Sequence, residues 1–176
     1  MKNKVAILTR GVPLEWEDPK TFKSECEKNF RIIQEIAEKE GCLVKLPSLE
    51  EVTMCKNAAT YNPDSDVFFY FTGHADSRHL GTYNFKIQEV LDFLKSFKGR
   101  KYIVLDACAA EKDFDSHDFP KDSLVISANW VYNSESLAKL LHDAIITKGH
   151  TLDTLTKKTF EDMNKPEVYV KSVGSN

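Results

Sequence analysis

What most constrains the fold of this chain is a set of short, continuous apolar runs placed between longer amphipathic stretches. KVAIL (4–8), DVFFYF (66–71), YIVL (102–105) and SLVISANW (123–130) are too short for core helices and are bounded by turn-forming residues. A run with no polar alternation buries both faces of its strand, which is the habit of a parallel sheet covered by helices on each side. The intervening stretches supply those helices. Over 19–39, Phe22, Cys26, Phe30, Ile33, Ile36 and Ala37 recur at three- and four-residue spacing, and Gly41 ends the pattern. A short strand follows over 42–46, then Pro47 as a breaker and a short helix over 49–59.

Further on, Ile87, Val90, Leu91, Leu94 and Phe97 form one stripe, with Gly99 placed as a C-terminal cap. Residues 134–149 and 151–163 read as two more capped amphipathic helices, and 167–173 as a final edge strand. Alternating strands and helices predict an α/β fold. A length of 176 residues suits a single domain, and neither an internal repeat nor a composition shift marks a linker.

Composition narrows the function. A net charge of -3 from well-mixed charged side chains gives no field to gather nucleic acid or an anionic membrane. No apolar run reaches the length of a membrane span, and the N-terminal residues lack a secretory pattern, so the expected location is cytoplasmic. The four cysteines (Cys26, Cys42, Cys55, Cys108) are then expected as free thiols. With no CxxC pair and no tight His/Cys cluster, neither a metal nor a cofactor is expected. The acidic stretch EKDFDSHDF (111–119) lacks the ligand spacing of a calcium loop and reads as solvated.

Reactive residues concentrate at two strand ends. DVFFYF runs into Thr72, Gly73 and His74, while KYIVL runs into Asp106, Ala107 and Cys108. In an open α/β sheet, ligands gather beyond the carboxyl ends of the strands, and a βαβ crossover sets two such ends side by side. Alone, each residue reads as ordinary: a Cys as a small core residue, a His as a satisfied polar group. Together they make a candidate Cys/His pair. Asp106 adds to the case, because a carboxylate at the end of a buried strand is costly unless it is bonded.

DVFFYFTGHAD, followed after a helix by KYIVLDACAA, resembles the paired signature of the caspase-like cysteine peptidases, the group of caspases, metacaspases, legumains, separases and CHAT-domain proteases. The later ISANWVYNSES is similar to the segment that leads into a Ser-containing substrate loop in legumain and CHAT proteins. The resemblance departs at Ala75, where Gly is usual, and at Ala109 and Ala110. Cys108 also follows His74 after 34 residues, against about 50 in caspases.

The resemblance implies a caspase-like three-layer α/β/α sandwich acting as a cysteine endopeptidase. Cys108 would be the nucleophile and His74 the partner that favours its thiolate and protonates the leaving amine. Backbone N–H groups of Cys108 and of Ala75 or Gly73 would face the oxyanion. Asp106 would line the pocket for the residue before the cut and favour Arg or Lys there. The alternative is an Asp that caps the next helix or turn. Arg10 opposes a basic preference, since members that select acidic residues use an Arg from that region. Ser127 belongs to the strand leading into the substrate loop, and Trp16 and Trp130 either wall the groove or pack at its rim. The implied partners are a protein or peptide substrate and an activator or regulatory protein. Two rival readings are a regulatory domain of the same fold without turnover and a flavodoxin-like ligand-binding domain. The latter lacks a Gly-rich phosphate loop, for TRGVPLEWEDP offers one Gly.

Overall fold

In a computed structural model, residues 3–54, 58–81, 84–107, 117–128 and 136–174 are described. The four apolar runs become β1 (Lys4–Arg10), β3 (Asp66–Gly73), β6 (Lys101–Ala107) and β7 (Ser123–Ala128), mutually parallel at the centre of one sheet. Two edge strands complete it: β2 (Leu43–Lys45) lies parallel to β1, and β8 (Val168–Val173) runs antiparallel to β7. The order is β2-β1-β3-β6-β7-β8.

Strand alternation divides the core into two layers. Ile7, Phe69, Phe71, Ile103 and Leu105 pack on one side with α2 (Leu49–Met54) and α3 (Ile87–Leu94) through Val52, Val90 and Leu91. Leu8, Phe68, Tyr70, Val104 and Ile126 pack on the other with α1 (Pro19–Lys39) and α4 (Leu137–His142) through Ile33, Ile36, Leu137 and Leu141. The mostly parallel sheet with helices on both faces is thus a three-layer α/β/α sandwich.

Helix ends follow local chemistry. After α1, Gly41 takes φ +76° while its N–H bonds Glu38 O and the Cys42 N–H bonds Ala37 O, a Schellman closure. Gly99 has a different role from the cap expected of it. The helix ends at Leu94, and a Cβ at Gly99 would stand 2.4 Å from Ser65 O, so this glycine permits a close approach of two backbones. The stretch 134–149 yields α4 from Ser136 as N-cap and then a π turn over Asp143–Thr147; residues 134 and 135 lie outside the described residues.

The helix expected over 151–163 is shorter. Thr154 Oγ1 accepts from the Thr151 N–H at 2.9 Å, holding a separate turn, and α5 (Lys157–Asp162) begins only after Thr156. Side-chain bonding of this kind competes with helix, and a reciprocal Thr156/Thr159 cap sets the true start. A small hairpin, β4 (His79–Leu80) with β5 (Phe85–Lys86), also forms directly after the His74 strand end. Its strands are too short to carry a periodic signal.

Cys26 and Cys42 are free thiols, and the described residues hold no cluster able to bind a metal. No described helix is long and apolar enough to cross a membrane.

Candidate functional site

The β3–β6 register brings the two strand ends level: Thr72 pairs with Asp106 and Gly73 with Ala107. His74 is therefore the next residue after Gly73, and Cys108 the next after Ala107 in the sequence; Cys108, like Ala109, Ala110 and Trp130, lies outside the described residues.

Backbone packing aims His74. Gly73 has φ +143°, and a Cβ there would stand 2.9 Å from Gly11 N, while a Cβ on Gly11 would stand 3.2 Å from Gly81 Cα. Three chain segments thus meet backbone to backbone: the loop after β1, the end of β3 and the turn of the β4–β5 hairpin. The Gly11 N–H bonds Thr72 O at 3.0 Å and the Gly81 N–H bonds His74 O at 2.8 Å, locking the same junction. The hairpin is held in turn by Asp76, whose Oδ1 accepts from the N–H groups of Arg78 and His79.

The His74 ring stacks on Phe22 of α1, with centroids 5.7 Å apart and planes 19° from parallel. Its Nε2 lies 2.5 Å from Glu17 Oε1. The same Glu17 oxygen accepts from the Leu14 N–H at 2.7 Å. Partial burial pushes the Glu17 carboxyl up, but the Leu14 N–H and the His74 hydrogen bond and charge outweigh it and hold the group below its ordinary value. Ionised at neutral pH, Glu17 only accepts, so His74 Nε2–H is the donor. His74 Nδ1 makes no hydrogen bond among the described residues. Neither Glu17 nor Phe22 was singled out from the sequence, since Glu17 sits in an irregular loop and Phe22 reads as one more position on the α1 stripe.

Beside His74, Ala75 forms an isolated antiparallel bridge with Leu80. The bonds flanking it run from Gly81 N to His74 O and from Asp76 N to His79 O, so the Ala75 N–H faces away from the bridge and is unused among the described residues.

Asp106 is 6% exposed and fully engaged on the α1/α4 side. Its Oδ1 accepts from the Leu137 N–H at 3.0 Å, and its Oδ2 accepts from the Ala138 N–H at 3.1 Å and from the Tyr70 hydroxyl at 2.6 Å. The third N–H of the α4 first turn, from Lys139, goes to Ser136 Oγ. Asp106 thereby caps a helix that begins 31 residues downstream, and the helix dipole favours its charge. Of the two expectations for Asp106, lining the pocket before the cut or capping a helix, these hydrogen bonds show the cap, and they occupy both carboxylate oxygens. Burial, then the neighbouring Asp106 charge and hydrogen bond, raise the Tyr70 hydroxyl well above its ordinary pKa, so it remains a donor.

Arg10, at the end of β1 opposite Thr72, is half-buried and makes no hydrogen bond or ion pair among the described residues. It does not neutralise Asp106. Ser127 is fully buried, and its hydroxyl has no hydrogen-bond partner among the described residues. In β7 it follows the alternation of Val125, on the α2/α3 side. Ser127 thus sits inside the sheet at 0% exposure, and the segment after it, to which the substrate-loop expectation refers, lies outside the described residues. Trp16 is 82% exposed on the loop that carries Glu17.

No protein-family model and no curated protein matches the chain. Among solved structures, one described as "structure of pro-sf-caspase-1" matches with a TM-score of 0.64 at 12% sequence identity, covering 99% of this chain and 93% of that one. The likeness therefore covers nearly the whole of both chains at low sequence identity. The sheet order, the antiparallel final strand and this superposition together show that the chain has the caspase-like fold.

Proposed function

We propose that the protein is a cysteine endopeptidase in which Cys108 attacks the peptide carbonyl and His74 exchanges the proton. The observation that carries this reading is the Gly73–Ala107 pairing, because it makes His74 and Cys108 the first residues beyond two adjacent strand ends. In the acylation step the Cys108 thiolate forms the C–S bond, the peptide C–N bond breaks, and His74 delivers a proton to the leaving amine. Water then hydrolyses the thioester. The unused Ala75 N–H supports a place for it among the oxyanion donors, where one donor is worth about 3 kcal/mol.

Substrate choice follows the free charges at this end of the sheet. Asp106 is occupied by α4 and Tyr70, which removes the support for a basic residue before the cut. Arg10 is the unpaired charge among the described residues of the β1 and β3 ends, and it favours an acidic residue by charge-assisted bonding. The test is a fluorogenic peptide panel varying only the residue before the cut, run with Cys108→Ala and Arg10→Ala. Cleavage after Asp or Glu that vanishes with Cys108→Ala and weakens with Arg10→Ala supports both parts. Cleavage after Arg or Lys restores the basic preference. Absence of any Cys108-dependent cleavage, with Cys108 inert to alkylation, leaves the regulatory domain as the better reading.

A further inference from the structure

We propose that Glu17 is the positioning residue for His74, fixing the ring as the Nε2–H tautomer and leaving Nδ1 as the nitrogen that takes and returns the proton. This rests on the peptidase reading for its consequence in turnover, while the tautomer itself does not depend on it. The contact is short, at 2.5 Å between Nε2 and Oε1. The carboxylate is itself braced by the Leu14 N–H at 2.7 Å, so it is held in place before His74 meets it. Phe22 beneath the ring limits tilt, and the Gly81 N–H fixes the His74 backbone. Three constraints from three elements thus leave one ring orientation, and Nδ1 is the ring atom without a bond among the described residues.

The chemistry asks for this arrangement. An imidazole that is to accept a proton at one nitrogen must carry its hydrogen on the other, and a carboxylate at the far nitrogen also favours the imidazolium that results. The proton moves from the Cys108 thiol to Nδ1, giving thiolate and imidazolium, and later from Nδ1 to the leaving amine. Glu17 keeps its charge throughout and touches neither substrate nor thiol.

The experiment reads the ring nitrogens of His74 by 15N NMR in the neutral form, and kcat and KM separately, for the wild type, Glu17→Gln and Glu17→Ala. The wild type should show the Nε2–H signature. Glu17→Gln should keep it, because the amide oxygen still accepts, whereas Glu17→Ala should give a mixture of tautomers. Turnover should fall about 10- to 100-fold in kcat for Glu17→Ala, less for Glu17→Gln, with KM within about twofold. An unchanged tautomer signature in Glu17→Ala overturns the proposal, as does a fall confined to KM. If no variant or wild type turns over, the peptidase reading fails while the tautomer result still decides the role of Glu17.

Discussion

Replacing Asp106 with Ala removes the acceptor for three buried donors at once: the N–H groups of Leu137 and Ala138 and the hydroxyl of Tyr70. Each buried donor left without a partner costs about 1–3 kcal/mol, giving a ceiling of about 9. The volume vacated by the carboxylate lets water satisfy part of the set, and the expected loss is about 3–5 kcal/mol, as for breaking other buried charged networks. Against a total stability of about 5–15 kcal/mol this is a large fraction. With a urea slope of about 2 kcal/mol/M, the unfolding midpoint should fall by about 2 M. Tyr70→Phe alone should cost about 1 kcal/mol, because the remaining carboxylate keeps its two helix partners. In the Asp106→Ala background the same change should cost less, since the hydroxyl has already lost its carboxylate partner and keeps only Thr72, so the double-mutant cycle should show coupling of about 1 kcal/mol. Urea unfolding followed by far-UV circular dichroism measures all four proteins. A midpoint shift below about 0.5 M for Asp106→Ala, or a strictly additive double mutant, would refute the capping role and return Asp106 to the substrate pocket.

Gly73→Ala should cost about 2–4 kcal/mol, for it combines φ +143° with a Cβ 2.9 Å from Gly11 N, whereas Gly149→Ala, at φ +81° in open space, should cost about 1; thermal unfolding compares the two. Burial pushes the thiols of Cys26 and Cys42 up to about 11. In the folded protein near neutral pH both should alkylate about 300-fold more slowly than an ordinary thiol of pKa about 8.5, and mass spectrometry of labelled peptides should find them modified only after unfolding. The depressed carboxyl of Glu17 contributes stability that is present above the ordinary Glu value near pH 4.3 and is lost as pH falls through its lower folded value. Because Glu17 is partly exposed, the slope is shallow; Glu17→Gln should flatten it, as read from unfolding midpoints between about pH 5 and 3.

The strands were legible because DVFFYF, YIVL and their companions bury both faces, and nothing else satisfies such runs in a chain of this size. The His74 and Asp106 strand ends followed from the same logic. What Asp106 does was not legible, since its partners Leu137 and Ala138 lie a whole crossover away and a strand-end carboxylate looks the same whether it meets a substrate or a helix. Glu17 was hidden for a related reason: its role depends on the loop before α1 meeting His74, 57 residues on. Gly99 was misread because local sequence signals a helix cap in the same letter that long-range packing uses for close approach. Pairings across many residues leave no periodic trace.

The cap that Asp106 places on α4 has a kinetic meaning. A six-residue helix running into a π turn has little persistence alone, and its first turn finds two of its acceptors only when β6 is seated beside β3. Formation of α4 is thereby made conditional on assembly of the central sheet. The helix α4 then docks onto strands already paired, and fluctuations that loosen β6 should release α4 with it as one cooperative unit of opening.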